Sequence, residues 1–492
     1  MNILLLYPEF PDTFWSFKHA LAFAGKRAAL PPLGLLTVAA MLPPDWSLRL
    51  VDTNTRKLTD KDLDWADCAF ISAMVVQRAS AHRLADRCHA AGLCVVAGGP
   101  LFDSEHDQFE QVDHFILNEA EMSLPGFIAD LESGQPRRLY TANGFADLRQ
   151  SPTPRWDLLD LRRYATMGIQ FSRGCPFNCD FCNVTAMLGH QVRMKSSAQI
   201  VAELDGLHAL GWSGPVFFVD DNFIGNKTFI KGDLLPSLIA WRNGKKGFTF
   251  LTEASINLAD DPALMAQMVA AGFNCVFIGI ETPDDSCLAE CSKIQNKNRD
   301  LVEDVKRIQR AGLQVQGGFI VGFDHDSPSI FQRQIDFIQK SGIVTAMVGL
   351  LQAPPGTRLY QRMKKEGRLC AESSGDNVDG TTNIVPAMTL DVLREGYRRI
   401  LDHIYAPAPY YKRIRTFLRE YQGSHVRDKL RLFHILAVIR SVFRLGILGR
   451  ERYQYWKLMA WTQFRHPRLL PNAIALAIYG YHFRKICEKH VS

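Results

Sequence analysis

Short apolar runs that alternate with segments of helical length are the feature that most constrains the fold of this chain. Five runs lie in the first 120 residues, at 2–8, 47–54, 68–74, 93–100 and 114–119. Each is rich in Leu, Val, Ile or Phe and is short enough for a single strand. The alternation predicts a parallel sheet with helices on both faces, which is a doubly wound, Rossmann-like α/β domain over 1–140.

A second series of runs follows the first. Six segments have the same character, at 167–174, 215–223, 248–256, 275–281, 313–324 and 346–357. Six β/α repeats predict a partial (β/α)6 barrel over 166–360, with 141–165 as a linker. From 361 the sequence is first polar and then has helical periodicity, so a mainly helical domain is expected over 361–492.

Composition and cysteine usage indicate the cell compartment. The 492 residues are 47% apolar and 22% charged, and the 11 cysteines are scattered apart from one group. This pattern favours a globular protein of two to four domains in a reducing compartment. The N-terminal "MNILLLYPEF" has no basic leader, and no uncharged apolar run reaches the ~18 residues needed to span a bilayer. The expected location is therefore cytoplasmic.

The one group of cysteines predicts a metal centre. Cys175, Cys179 and Cys182 lie in "FSRGCPFNCDFCN", directly after the first predicted barrel strand. Thiolates are soft ligands that suit an iron–sulfur cluster, and three of them leave one iron of a four-iron cluster open to another ligand. A zinc site would need a fourth ligand, for which His190 is the only nearby candidate, and three unrelated thiols are the other alternative. Cys287 and Cys291 are interpreted as isolated thiols.

Small and polar residues follow the predicted strands of both sheets, where α/β folds bind their ligands. In the barrel these are Asp220, Asn222, Glu253, Ser255 and Glu281. The first domain carries a longer set: Tyr7, Asp52, Asn54, Met74, Gln77, Gly98, Gly99, Pro100, Asn118 and Glu119. No G-x-G-x-x-G fingerprint follows any of its strands, which argues against a dinucleotide. A large cofactor and ordinary loop chemistry both remain open on this pattern alone.

The motifs together resemble a known family. "CPFNCDFC" is similar to the signature of radical S-adenosylmethionine (SAM) enzymes. The segments "GGP", "NEAE", "VDDNFIGN", "GIE" and "APPGT" resemble the cobalamin-binding class of that superfamily, and the similarity covers 1–360. The continuation at 383–413 is similar to the branch that includes the hopanoid position-2 methylases.

The resemblance implies roles for individual residues. Cys175, Cys179 and Cys182 are expected to hold a 4Fe-4S cluster, and Phe181 to lie near the adenine of SAM. The expected SAM contacts are Asp220, Asn222, Glu253, Ser255 and Glu281, with Gly318, Phe319 and Val321 on the adenine-contacting strand. The strand-end residues of the first domain are expected to line the cobalamin. Trp15 of "FWSF" is expected either to approach the cobalt or simply to pack at the domain interface.

The resemblance also implies a reaction and its partners. A C-methyltransferase of this class would use two SAM molecules per turnover, with methylcobalamin and an electron from an external flavodoxin- or ferredoxin-type donor. No axial histidine is expected, because Asp86, His89 and Gly92 miss the D-x-H-x-x-G spacing by one residue. A lipid or natural product is the expected substrate. The alternatives are a cobalamin-dependent oxidative cyclase or rearrangement enzyme, and a non-catalytic cobalamin carrier or sensor.

The C-terminal segment has a different charge from the rest of the chain. Residues 411–492 hold 17 Lys and Arg against 4 Asp and Glu, with Arg440 and Arg444 one helical turn apart. Two interpretations are open: contact with the inner membrane face through apolar faces and arginines, or a helical cap on the barrel. A nucleic-acid partner is not expected, because the aromatic residues lie among aliphatic ones instead of forming a stacking platform.

Overall fold

The computed structural model describes residues 1–245, 247–376, 378–423 and 432–490. Within them, two six-stranded parallel sheets are followed by a group of helices. This arrangement confirms the predicted α/β class with a helical C-terminal part.

The first sheet is built from residues 2–140. Its strands are β1 Asn2–Tyr7, β2 Ser47–Asp52, β3 Cys68–Ser72, β4 Cys94–Gly98, β5 His114–Ile116 and β6 Leu139–Tyr140, in the order β2-β1-β3-β4-β5-β6. The helices are α1 Lys18–Ala24, α2 Leu33–Met41, α3 Asp60–Trp65, α4 Arg78–Ala90, α5 Pro100–Glu105 and α6 Ala120–Glu132. Ile3, Leu4, Leu5 and Leu6 of β1 are all buried. Helices cover both faces of this strand, so successive side chains are apolar instead of alternating.

The second sheet forms an open barrel. Its strands are β7 Met167–Ile169, β10 Pro215–Phe218, β11 Thr249–Glu253, β12 Phe273–Glu281, β13 Gln314–Val321 and β14 Ala346–Leu350, with the order β14-β13-β12-β11-β10-β7. A separate antiparallel pair, β8 Ser172–Arg173 and β9 Arg193–Met194, brackets the cysteine segment. The surrounding helices are α7 Val184–Leu188, α8 Ser197–Ala209, α9 Lys227–Phe229, α10 Leu235–Arg242, α11 Pro262–Ala271, α12 Asp285–Glu290, α13 Leu301–Arg310, α14 Ile330–Ser341 and α15 Arg358–Lys365.

The first barrel run differs from the prediction. The sequence predicts one strand over 167–174, but β7 ends at Ile169 and the chain turns before β8. The cause is a buried carboxylate: Asp220 accepts hydrogen bonds from the backbone N–H groups of Phe171, at 3.1 Å, and of Ser172. These two donors are therefore unavailable for pairing along the sheet. The turn directs the chain into the cysteine segment.

A group of helices follows the barrel in the chain. They are α16 Leu390–Tyr405, α17 Pro407–Glu420, α18 Leu432–Ser441, α19 Arg452–Arg465 and α20 Leu470–His490. The Tyr405 hydroxyl donates to the Ala346 carbonyl at 2.6 Å, and the buried guanidinium of Arg413 donates to the Val344 carbonyl at 3.2 Å. α16 and α17 thus cap the barrel, whereas α18, α19 and α20 pack against α1, α16 and α17.

Arg440 and Arg444 both contact α1. Arg440 donates to the carbonyl of Phe23 at 2.9 Å, and the Arg444 guanidinium lies 5.4 Å from the centre of the Phe23 ring. Both residues thus link α1 to the C-terminal helices while they remain exposed. Across the described ranges, no helix is both long and apolar enough to cross a membrane.

Candidate active site

One cavity of about 1190 Å³ lies between the carboxyl ends of the two sheets. From the first sheet it is lined by the loops after β3, β4 and β5, and from the barrel by β12, β13 and the cysteine segment. Parallel strands place all their carboxyl ends at one edge, so these loops necessarily converge. A molecule bound by the first domain would thus face one bound by the barrel.

The cysteine segment is a tight loop between β8 and β9. It begins at Gly174, whose φ is 92° and whose missing Cβ would lie 2.5 Å from the Gln191 carbonyl oxygen, so no other residue fits there. The loop closes further through a hydrogen bond from the Cys182 N–H to the Cys179 carbonyl at 3.2 Å. Cys175, Cys179 and Cys182 are all partly buried free thiols.

The three thiols of the loop interact with one another electrostatically. Burial raises the pKa of Cys175, and it raises the pKa of Cys182 to about 12, with the other thiols of the loop adding to the effect. The thiols are therefore close enough to interact, yet among the described residues no three metal-ligating side chains surround one point. A four-iron cluster binds each thiolate through a different iron, so its ligands stand further apart than those of one ion.

Glu281, at the carboxyl end of β12, is held in an unusual backbone conformation. Its φ is 63°, and the register of β12 against β13 shifts between Gly279 and Glu281. The buried amides of Asn296 and Gln334 fix this distortion by donating to the Ile280 carbonyl at 3.0 Å and the Glu281 carbonyl at 2.9 Å. Left-handed backbone at a residue other than glycine is costly and concentrates at functional sites.

A partly buried lysine pairs with the Glu281 side chain. Lys293 Nζ lies 2.7 Å from Glu281 Oε1 and 6.0 Å from the centre of the Phe181 ring. Glu281 and the thiols of the cysteine loop raise the pKa of Lys293 against the opposing effect of its burial, so this side chain is a cation. Glu281 lines the cavity and can offer a carboxylate oxygen to a bound cation or hydroxyl group.

Other carboxylates lie deeper in the barrel mouth. Burial and the neighbouring Asp221 and Asp220 raise the pKa of Glu253 to about 8, and burial raises that of Asp220 to about 7. Asn222 Oδ1 accepts from the Ser255 hydroxyl at 3.3 Å, and its Nδ2 lies 3.9 Å from Cys175 Sγ. Crowded, poorly solvated carboxyl groups of this kind favour a cationic ligand such as a sulfonium.

The predicted SAM residues divide into two groups. Five of the cluster and SAM positions line the cavity: Phe181, Cys182, Glu281, Gly318 and Phe319. The others lie next to it or behind it: Cys175, Cys179, Asp220, Asn222, Glu253, Ser255 and Val321. The role of Asp220 in turning the chain after β7 is structural. The SAM contacts of all these residues, Asp220 included, stay predictions.

The predicted cobalamin residues divide in the same way. Six line the cavity: Met74, Gly98, Gly99, Pro100, Asn118 and Glu119. Gly99 has a φ of 97° and a missing Cβ 2.9 Å from Ser72 Oγ, so it brings bare backbone to the cavity wall. The other five support the loops: Tyr7, Trp15, Asp52, Asn54 and Gln77.

The supporting residues make specific contacts outside the cavity. Gln77 Nε2 and Asn54 Nδ2 both donate to the Pro8 carbonyl, the latter at 3.1 Å, and Asp52 accepts from the Tyr164 hydroxyl at 2.9 Å. Trp15 Nε1 lies 3.0 Å from Met347 Sδ, and its ring is 5.4 Å from that of Phe277. Because Met347 and Phe277 themselves line the cavity, Trp15 packs behind the wall at the domain interface.

Buried ion pairs join the first domain to the cysteine loop. Arg193 of β9 donates to both oxygens of Glu119, at 2.7 and 2.8 Å, and Arg173 of β8 donates to Glu121 at 2.8 Å. His89, by contrast, is exposed on α4 beside Cys94, at the amino end of β4. That edge of the sheet is opposite the cavity.

Sequence reasoning missed three of these residues. Arg173, Arg193 and Lys293 are single basic residues without a motif, and only the fold brings them to Glu121, Glu119 and Glu281. The one usable signal was the "NEAE" segment, since two carboxylates after a buried strand need cationic partners if they are buried.

Family models match most of the second half of the chain. Residues 169–338 match the radical SAM superfamily, and residues 357–492 match a domain of unknown function (DUF4070). The chain is 40% identical to an uncharacterized methyltransferase of Synechocystis over 99% of this chain and 92% of that protein. It is 32% identical to hopanoid C-2 methylase of Rhodopseudomonas palustris over 98% of this chain and 92% of the methylase.

Solved structures share the fold at low identity. The cobalamin-dependent SAM radical enzyme OxsB, with aqua-cobalamin bound, aligns with a TM-score of 0.64 over 100% of this chain and 80% of that one, at 14% identity. The radical SAM methyltransferase TsrM of Kitasatospora setae, with cobalamin and a [4Fe-4S] cluster bound, gives 0.60 over 94% and 99%, at 13% identity. These findings confirm the predicted family and fold. The chain belongs to the radical SAM superfamily, which uses a 4Fe-4S cluster and SAM, and within it to the C-methyltransferases that include hopanoid C-2 methylase.

Proposed function

We propose that this methyltransferase binds cobalamin in its first domain and methylates an unactivated carbon of an apolar, polycyclic lipid or related natural product, with two SAM molecules consumed per turnover. The observation that carries the proposal is the single cavity shared by the glycine loop after β4 and the cysteine loop of the barrel. A methyl donor bound at the first and a radical generator at the second would face the same space.

The residues of the chain have binding and positioning roles in this reaction. When bound, the cluster, SAM and cobalamin supply the radical and the methyl group, so no side chain is needed as a nucleophile or strong base. Cys175, Cys179 and Cys182 would hold the cluster, and Glu281, oriented by Lys293, would bind a polar group of SAM. The bare backbone at Gly99 would allow a flat macrocycle to approach closely.

The wall of the cavity favours an apolar substrate. Apolar residues of its lining include Val75, Val76, Leu188, Pro354 and Tyr360. They offer burial of apolar area, worth about 25 cal/mol per Å². The 32% identity to a methylase named for a hopanoid supports the same substrate class.

Product stoichiometry tests the reaction. The reduced, cofactor-loaded protein is incubated anaerobically with hopanoids and with SAM that carries a labelled methyl group. Methyl transfer should give a labelled product heavier by 14 daltons, with S-adenosylhomocysteine and 5′-deoxyadenosine released about one to one. A cyclase or rearrangement enzyme would release deoxyadenosine with unlabelled product, and a carrier or sensor would cleave no SAM; either result would overturn the proposal.

Peripheral membrane contact through 411–492 is part of this proposal. Half of the exposed large apolar side chains in the described ranges lie on α18, α19 and the turns between them. We call them the apolar ridge: Ile435, Leu436, Val438, Ile439, Phe443, Ile447, Leu448, Tyr453, Trp456 and Phe464. Exposed cations accompany the ridge, including Arg450, Arg452 and Lys457. Apolar and cationic residues together are typical of helices that lie in the interface of anionic bilayers.

Liposome sedimentation tests this contact. The protein should sediment with anionic liposomes at low salt and be largely released at 1 M salt, where the Debye length is about 3 Å. Replacing Phe443, Leu448 and Phe464 with Ser should abolish sedimentation. Replacing Leu210, Val385 and Val392, which are exposed outside the ridge, with Ser should not. Equal binding of the two variants to liposomes would refute the membrane contact. The proposed methyl transfer would not be affected.

A further inference from the structure

The cysteine loop has an inner and an outer side. Phe181 and Cys182 line the cavity, whereas Cys179 does not, and its Sγ lies 3.7 Å from Gln295 Nε2. Asn178, next to Cys179, is exposed to solvent. Cofactors and substrate would occupy the inner side, so a protein that delivers electrons has to approach from the outer side.

The outer side is contacted by a basic helix. The Leu359 N–H at the start of α15 donates to the Asp180 carbonyl at 2.9 Å, and Arg358 pairs with Asp180 and the Asn178 carbonyl. The eight residues of α15 carry Arg358, Arg362, Lys364 and Lys365 and no acidic residue. Lys364 and Lys365 are exposed, and neither pairs with a carboxylate of any described residue.

Glu290 is turned inward and the exposed Glu366 pairs with Arg368 at 3.0 Å, so the outward charge of α15 itself is positive. The Glu290 side chain is only 3% exposed and accepts from Arg362 at 3.2 Å, whereas the Arg358 side chain is 51% exposed. An uncovered apolar residue, Ile294, is 64% exposed next to the Gln295 that contacts Cys179. An apolar centre with a charged rim is typical of a protein interface.

We propose that this surface, formed by Asn178, Ile294, Arg358, Lys364 and Lys365 and here called the donor face, docks an acidic one-electron carrier protein. The inference rests on the proposed function, because only a redox cluster needs such a carrier. In each encounter the reduced carrier loses one electron and the cluster held by the cysteine loop gains one. Charge complementarity of this kind mainly raises the association rate and makes it depend on salt.

Charge reversal tests the donor face. In the Lys364→Glu/Lys365→Glu variant, calorimetry should show affinity for oxidised flavodoxin reduced by about 10-fold or more at low salt. Reduction of the cluster by reduced flavodoxin should slow by a similar factor. The control is Arg394→Glu/Arg398→Glu, which makes the same charge change on the exposed surface of α16 and should leave both quantities as in the wild type.

Chemical reduction separates this inference from the proposed function. With dithionite as donor, both variants should form deoxyadenosine at the wild-type rate, because no docking is needed. Repeating the binding measurement with ferredoxin in place of flavodoxin shows which acidic carrier the surface accepts. Flavodoxin and ferredoxin binding that is unchanged in the Lys364→Glu/Lys365→Glu variant, or weakened equally in the control, would overturn the donor face. Absence of methylated product with dithionite would instead count against the proposed function.

Discussion

A methyl group at position 279 should disturb the Glu281–Lys293 pair and leave the three cysteines of the loop unchanged. In Gly279→Ala the new Cβ would lie 2.7 Å from Lys293 Nζ and closer still to the Glu281 carboxylate, whereas ordinary contact begins at 3.4 Å. The pair must therefore shift by about 0.7 Å or more. Misplacement of a positioning group by about 1 Å can cost roughly 100-fold in rate, so we expect deoxyadenosine formation to slow by about 10- to 100-fold.

The assay compares SAM affinity and the rate of deoxyadenosine formation at equal cluster content. Gly232→Ala is the matched control, because its Cβ would meet no atom within 4 Å. It should behave as the wild type. A Gly279→Ala variant with wild-type SAM affinity and rate would refute the reasoning that the distorted end of β12 holds Glu281 for SAM.

Four further predictions follow from the site. Replacing all three cysteines of the loop with Ala should abolish both bound iron and deoxyadenosine formation. His89→Ala should leave the spectrum of bound cobalamin unchanged, and imidazole coupling in its paramagnetic resonance would contradict this. Arg193→Met should lower the free energy of unfolding, measured by denaturant titration, by about 2–4 kcal/mol, because Glu119 loses its bidentate partner. The double variant Arg193→Met/Glu119→Gln should recover part of this loss. Because the pKa of Glu253 is raised, the unfolded chain binds fewer protons than the folded chain between pH 4.5 and about 8. The free energy of unfolding without SAM should therefore fall as the pH rises through this range, and it should fall less in Glu253→Gln.

Local sequence patterns predicted the strands of the fold, because a strand that is buried on both faces of its sheet appears in the sequence as a continuous apolar run. The runs at 2–8 and 68–74 became β1 and β3, each trimmed by a residue or two at its end. The prediction of one strand over 167–174 was wrong because the carboxylate of Asp220, 46 residues beyond the end of the run, accepts hydrogen bonds from its backbone N–H groups. No local pattern carries that information.

The candidate site was predictable where a motif is contiguous. The cysteine loop and the glycine loop after β4 are short segments, and residues of both reach the cavity. Lys293 reaches Glu281 only through the turn after α12, and Trp15 reaches Met347 across 332 residues of sequence. Such contacts depend on the packing of whole elements, as does the position of Tyr7 and Asp52 outside the cavity lining.

The packing of the first helix against the last ones sets a limit on how the chain can acquire its structure during synthesis. α1 packs against α18 and α20, Phe14 stacks on Phe483 at 4.2 Å, and the Phe14 carbonyl lies 2.9 Å from a ring nitrogen of His482, 468 residues away. At a synthesis rate of about 5–20 residues per second, the Phe14 segment waits roughly 25–95 s for its partners. Its apolar surface is open to chaperones, or to aggregation, throughout that time. Ribosomes stalled before α20 should therefore carry nascent chains that are soluble only with a chaperone bound.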